Sequence, residues 1–482
     1  MGDVIECESL VIGSGAGGGV AAEALALAGE RPVVLEEGPR FEVEDIVRLT
    51  SSEALQTLYR RAGLQPVFGT PKVVYGEGRC VGGSTVVNGG LLWFPSDWRT
   101  QRWEESRGPD LPSHQTLTKH ATTIASNLSM RVQGDEGGNL DSRLMRAGAL
   151  ELGLRWQHPQ RVVTNCVHAN RCTMGCPTGA KRTVLDTYLP NAERLGALVV
   201  ANARANKLVT KNGRVVEVQA TVNGRQTAYK PSKVILAAGA IGSPELLLRS
   251  GIWPGHHRPK MSWHANIRFI ARFADEVFAE DGTIFTTQIN EYEKQGIYLM
   301  PANSSPGILA GFLQVHGPKA VREYLAAPEK YAVFTAQVEM QGKISISTVP
   351  TLGRLMTHAL TAADEIALRF ASERMTSVLF ASGADRIYPP VNGHGPLTKM
   401  HEAADFAKTK PIDEWQLLSV HGMASCPMGD PYRGGIVDRG GRIPTVDNLH
   451  IVDASVLPGA SGISPQGSIM AFAHTIMGDV LE

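Results

Sequence analysis

SLVIGSGAGGGVAAEALALAGERPVVLEEGP, residues 9–39, reads in order as strand, glycine turn, helix, strand and acid. Leu10-Val11-Ile12 is a short apolar run of the kind found in strands buried on both faces of a parallel sheet. It breaks into Gly13-Ser14-Gly15-Ala16-Gly17-Gly18, after which Val20 to Ala28 has helix-forming composition. A second apolar run, Val33-Val34-Leu35, ends at Glu36. With both strands and the acid in place, the glycines carry a dinucleotide-binding fingerprint. Gly13 permits the tight turn, while Gly15 and Ala16 bring backbone and a helix N-terminus up to a pyrophosphate. Gly18 lets the helix pack close to the strands, and Glu36 is placed to accept hydrogen bonds from an adenosine ribose.

Further glycine-rich stretches continue the theme. Pro71–Gly90, PKVVYGEGRCVGGSTVVNGG, reads as backbone laid against a flat or phosphorylated ligand and ends in the polar trio Ser84, Thr85 and Asn88. Val234–Arg249 is a strand, a small-residue turn around Ala238, and a helix with Pro244 near its start, a second close approach to the same ligand. Leu198–Ala201 and Gly213–Thr221 read as strands, and Thr183–Leu195 as a helix. From residue 254 the pattern changes. Asn266–Phe273, Gly296–Met300 and Ala332–Ile346 alternate like antiparallel strands, and Thr351–Ser382 has a long helical pattern. The expected organisation is α/β (α+β): a Rossmann-like dinucleotide domain built from residues 1–100, 160–254 and 430–482, peripheral cover at 101–159, and a second domain of antiparallel sheet plus helices at 255–429.

The 482 residues allow two or three domain-sized units, and 47 basic residues balance 47 acidic ones. No net field therefore favours nucleic acid or an anionic membrane surface. No charged-then-apolar leader and no apolar run of membrane-spanning length is present, so the expectation is a cytoplasmic chain, with export on a partner subunit's signal as the alternative. Six cysteines in this length do not make a disulfide scaffold, but Cys166, Cys172 and Cys176 crowd into one loop.

Five separated blocks together resemble the glucose-methanol-choline (GMC) family of flavin oxidoreductases. They are GSGAGGG with LEEGP, GRCVGGSTVVNGG, ILAAGAIGSPELLLRSGI, HGMASCPMG, and NLHIVDASVLPGASGISPQGSIMAFAHTI, in the family's order from Gly13 to Ile476. The resemblance implies FAD as cofactor. It lays Arg79, Gly82, Gly83, Ser84, Asn88 and Gly89 along the pyrophosphate and flavin, and Asp453 with Ala454 at the pyrophosphate-ribityl end. Pro465, Gln466 and Ser468 would lie near the pyrimidine edge.

His421 opens the HGMASCPMG block and is expected to take the hydroxyl proton when a CH–OH is oxidised, while hydride passes to flavin N5. The family's second catalytic position, usually Asn or His before a proline, falls on Ser464. A serine hydroxyl can position a substrate oxygen but is no base at neutral pH without an activator. The three crowded cysteines are candidates for an iron–sulfur cluster, as in cytochrome-linked sugar dehydrogenases of the family, although the spacing departs from theirs. The expected function is FAD-dependent oxidation of a primary or secondary alcohol, a sugar being favoured. The electron acceptor is unspecified. The alternatives are an oxidase using O₂ and the catalytic subunit of a cluster-bearing dehydrogenase with a partner subunit.

Overall fold

A computed structural model describes residues 3–134, 137, 139–302, 304–349 and 353–482. Two sheets organise the described residues. In the first, Leu198–Val200, Val33–Leu35, Asp3–Ile12, Arg225–Leu236 and Leu449–Ile451 lie side by side, every neighbouring pair parallel. Leu10, Val11, Val34, Val234 and Ile235 are fully buried there, as strands covered on both faces require. The early part of Arg225–Leu236 leaves this layer to pair antiparallel with Arg214–Val222, which in turn pairs with Ala203–Lys211. The helix Ala16–Leu27 starts inside the glycine turn, earlier than its composition suggests. Gly13 sits at φ +102°, and a Cβ on Gly18 would lie 1.9 Å from the Gly13 carbonyl oxygen. Those two positions must be glycine for the helix to cross the strands so closely.

The second sheet is organised by one long strand, Lys260–Phe273. It pairs antiparallel with Tyr331–Glu339, Ala384–Tyr388 and Ile344–Val349, and at single positions with Gln416–Ser419. Ile297–Pro301 extends the sheet beyond Tyr331–Glu339. Lys72–Tyr75, from the N-terminal third of the chain, also joins it by pairing parallel with Gln416–Ser419. Trp263, Ala265, Ile267 and Phe269 alternate onto a fully buried face, and the helix Ala362–Ala381 packs on this strand and on Tyr331–Glu339. Asn266, Arg268 and Ile270 point the other way, into a cavity.

The long helical pattern expected from Thr351 divides. Gly353–His358 is a strand paired with Ile344–Val349, and the helix begins only at Ala362; residues 351 and 352 lie outside the described residues. The boundary is set by a capping box. Thr361 Oγ1 accepts from the Asp364 N–H (3.1 Å) while Asp364 accepts from the Thr361 N–H (2.8 Å). In the region expected as peripheral cover, the helix His114–Asn127 packs on the C-terminal helix Gln466–Leu481, and Leu140–Glu151 packs on Ala362–Ala381. No helix among the described residues is long and apolar enough to cross a membrane.

Candidate active site

A cavity of about 1610 Å³ runs between the two sheets. One end is the first glycine turn. Gly13, Gly15 and Ala16 line it, and a Cβ built on Gly15 would meet nothing within 4 Å, so this backbone faces open space. The first N–H groups of a helix have no intrahelical acceptor, so a helix N-terminus here presents donors and a positive dipole end to whatever occupies the cavity.

Glu36 also lines this end, but its carboxylate is already engaged: it accepts from the Ser14 hydroxyl (2.7 Å), the Ser14 N–H (3.1 Å) and the Gly38 N–H (2.9 Å). Burial pushes its pKa up, with these hydrogen bonds working against that. Ser14 in turn accepts from the Gly82 N–H (3.1 Å), which ties the first turn to the second glycine-rich loop. Beside it, burial pushes the Glu37 carboxyl up, and hydrogen bonding and charge from Arg60, with Arg204 and Arg79, more than reverse this, leaving it at about 2. Arg79 lines the cavity within this ion-pair group.

Gly83, Ser84, Asn88 and Gly89 line the middle of the cavity. Asn88 donates to the Gln466 side chain (2.5 Å) and accepts from the Gly90 N–H, bracing the loop against the start of the C-terminal helix. Ala238, Asp453 and Ala454 line the opposite side. The Asp453 carboxylate is spent on protein donors: the Gly239 N–H (2.9 Å), the Ser243 hydroxyl (2.5 Å) and the Ser455 N–H (2.7 Å). It holds the start of the helix Gly239–Ser250, so any contact from this turn to a ligand falls to its backbone. Gly18, Gly82 and Ser468 lie behind the cavity wall, Gly18 in helix packing and Gly82 against Val86 and Leu185.

At the far end, His421 and Ser464 line the same cavity, with Pro465 and Gln466 beside them. His421 follows the strand Gln416–Ser419, and Gly422–Met423 then pairs with Ser262–Trp263. Ala424, at φ +58°, and Cys426 donate backbone hydrogen bonds to the carbonyls of Ala454 and Ser455, so the His421 block is sewn to the Asp453 turn. Burial pushes the His421 pKa down to about 4, which leaves a neutral imidazole over the whole physiological range. Its Nδ1 lies 3.2 Å from Nδ1 of His264, the two rings meeting edge to face. His264 is fully buried, and burial together with the neighbouring His421 drives its own pKa well down.

The cysteine loop does not gather metal ligands. Cys166 lies 3.7 Å from the Thr283 hydroxyl, Cys172 accepts from Arg161 (3.4 Å), and Cys176 accepts from the Lys181 N–H (3.3 Å). No group of three His, Cys, Asp or Glu side chains among the described residues is placed to hold a metal, so the iron–sulfur expectation is corrected. The loop is organised instead by Lys181. Its ammonium is buried and donates to the backbone carbonyls of Thr85 (3.2 Å), Val86 (2.7 Å), Asn88 (2.9 Å) and Cys172 (2.9 Å), pinning the loop under the cavity wall. Lys181, Ser14 and His264 were not singled out as site residues from the sequence, because partners of each lie far along the chain, and Arg268 was not because nothing in its local sequence marks it.

An N-terminal GMC oxidoreductase family model matches residues 55–268, and its C-terminal counterpart matches residues 340–473. An uncharacterized GMC-type oxidoreductase of Mycobacterium tuberculosis is 32% identical over 478 residues, covering 98% of this chain and 75% of that one. A second, from Sinorhizobium fredii, is 30% identical, covering 98% and 94% of the two chains. A long-chain-alcohol oxidase of Arabidopsis thaliana is 26% identical over 99% of this chain and 67% of its own. Among solved structures, pyridoxine 4-oxidase from Mesorbium loti superposes with a TM-score of 0.72 at 17% identity, covering 98% of this chain and 99% of that one. Formate oxidase of Aspergillus oryzae RIB40, a structure concerned with FAD modification, does so at 0.75 and 14%, covering 100% and 99%. With both family models matched and a relative sharing nearly a third of its residues across almost the whole length, the chain belongs to the GMC oxidoreductase family.

Proposed function

We propose that this chain binds FAD along the cavity and oxidises an alcohol CH–OH to the carbonyl. The observation that carries this is a single cavity with an open glycine turn and helix N-terminus at one end and a buried, neutral imidazole at the other. Its volume exceeds the roughly 300–1,000 Å³ of ordinary ligand pockets, leaving room for an extended dinucleotide and a substrate together. Gly15, Ala16 and the Gly83–Ser84 turn fit a pyrophosphate, Glu36 fits the ribose end, and Asn88, Gly89, Pro465 and Gln466 fit the flavin ring.

FAD, when bound, would supply the acceptor for the hydride, which carries both electrons. The chain's own part is to orient the alcohol and move its hydroxyl proton. His421 takes that proton on Nε2, which requires Nδ1 to carry its hydrogen and donate it to His264. Once His421 is charged, the same hydrogen bond holds the imidazolium in place. Ser464, whose hydroxyl is no base at neutral pH without an activator, positions the substrate oxygen. The relatives named as oxidases favour O₂ as electron acceptor as a second reading, which the rate of reoxidation in air-saturated buffer decides. The test of the main reading is anaerobic mixing of the FAD-loaded protein with a panel of alcohols and sugars. Bleaching of the visible flavin absorption by at least one of them is expected; a correctly folded protein that takes up no flavin would overturn it.

A further inference from the structure

The cavity wall formed by the second sheet carries a cation that nothing among the described residues neutralises. Arg268 lies on the cavity face of Lys260–Phe273, and its guanidinium has no hydrogen-bond or ion-pair partner among the described residues. Its Nε is fully buried, and burial pulls the pKa down to about 10, leaving it charged at neutral pH. Burying an unpaired charge is costly, so such a group calls for a partner. The carboxylates that line the cavity are engaged elsewhere. Glu37 is held by Arg60, Glu77 and Glu245 by Arg354, and the nearby Tyr59 hydroxyl, whose pKa burial pushes up, is neutral and supplies no countercharge.

The surroundings of Arg268 have the form of a binding site. The guanidinium lies over the Phe312 ring at 5.4 Å from its centroid, which holds it in place and leaves donors free for a bidentate oxyanion. Thr335 is its register partner on the neighbouring strand, 3% exposed, with an unpartnered hydroxyl. Asn266, two residues nearer His264 on the same face, is 6% exposed, and its Nδ2 also lacks a partner among the described residues. Three polar side chains on one sheet face, all lining the cavity and all unsatisfied, describe a ligand rather than a core.

We infer that the alcohol oxidised here carries an oxyanion, a carboxylate or a phosphate, seated on Arg268 and Thr335 with Asn266 contacting the chain between. This rests on the alcohol oxidation proposed above. The spacing restricts the substrate further. Arg268 lies four residue steps along the strand from His264, about 13 Å of extended chain, and His264 touches His421. The anion therefore lies several bonds from the carbon that loses hydride, as in an ω-hydroxy acid or the phosphate monoester of a diol, and not next to it as in a 2-hydroxy acid.

Redox-inert probes separate this from catalysis. Hexanoate, hexanamide and propyl phosphate are titrated into the flavin-loaded protein, read by perturbation of the flavin spectrum and by shift of the melting temperature. Hexanoate or propyl phosphate is expected to bind at least about tenfold tighter than hexanamide, by the usual strength of charge-assisted pairing. Whichever of the two binds tighter identifies the anion. R268Q should erase the preference, R268K should retain part of it, and T335V should weaken it. Equal binding of hexanoate, propyl phosphate and hexanamide in the native protein would overturn the inference. So would an anion preference that survives R268Q in a variant retaining flavin and the native melting temperature. If hexanoate is preferred while neither 6-hydroxyhexanoate nor 1-hexanol bleaches the flavin, the oxidation reading fails and the anion site stands. Bleaching by 1-hexanol without any anion preference has the opposite meaning.

Discussion

Replacing Lys181 by Met removes an ammonium while keeping the length of an apolar stem. The four carbonyls that accept from Nζ lie at 2.7–3.2 Å and belong to the second glycine-rich stretch at Thr85, Val86 and Asn88, of which Thr85 and Asn88 line the cavity, and to the cysteine loop at Cys172. An ammonium has about three donors to share among them, each charge-assisted bond being worth roughly 1.5–3 kcal/mol. Against this stands the cost of holding the charge away from water, which depresses the lysine pKa. Orphaned buried carbonyls are not rescued by a methionine, so the net loss should be about 3 kcal/mol. With an unfolding entropy of about 2.1 cal/mol/K per residue over 482 residues, that is a melting temperature lowered by about 3 °C. Because two of the pinned carbonyls belong to residues that line the cavity proposed to hold FAD, FAD should also be held more weakly. Thermal unfolding by circular dichroism and FAD release on dilution measure the two effects. A K181M protein that melts within about 1 °C of the native one and keeps its flavin equally well would show that this ammonium organises nothing.

Other perturbations probe separate parts of the site. Arg354 bridges Glu77 (2.8 Å) and Glu245 (2.6 Å), all three largely buried, so R354M removes the cation that the two carboxylates share and leaves Glu77 with Arg60 and Glu245 with the longer contacts to Arg249 and Arg204. A loss of about 3–5 kcal/mol is expected in denaturant unfolding, and a change below about 1 kcal/mol would contradict the bridge. Since burial sets the His421 pKa at about 4, its base form is complete above that pH and is lost as pH falls through it. The rate of flavin reduction should therefore stay level down to about pH 5 and decline below; a decline centred near 6.5, the ordinary imidazole value, would show an unperturbed base. Replacing Cys166, Cys172 and Cys176 together by Ser should leave purified protein with the same flavin content and no loss of iron; iron in the native protein that vanishes in the variant would restore the cluster.

Much of this site was legible because its backbone requirements are local. A turn at Gly13, a close helix crossing at Gly18 and the neighbouring strands are written in consecutive residues. His421 stood out for a similar reason, in a compact block that the family resemblance made readable. Its partner did not. His264 lies 157 residues away, inside a strand whose alternation reads as ordinary sheet. Arg268 was equally silent, since one arginine among 32 is unremarkable until packing shows that it is buried without a partner among the described residues. The cysteine loop misled because three sulfurs close in sequence resemble ligands, whereas the working residue is Lys181, three of whose four carbonyl partners lie more than ninety residues back. The Glu77–Arg354 bridge spans 277 residues, and no local pattern encodes it. At Thr361 the converse holds: the capping box was present in the sequence, and the helical periodicity before it concealed a strand.

Stopped-flow reduction of the flavin in H421A and S464A, mixed anaerobically with the best alcohol from the panel, separates the two side chains at the far end of the cavity. H421A should retain FAD and be reduced roughly 10²–10⁴-fold more slowly than the native protein, the range for loss of a general base, while S464A slows far less. An H421A flavin that is bleached at the native rate would remove the imidazole from the chemistry.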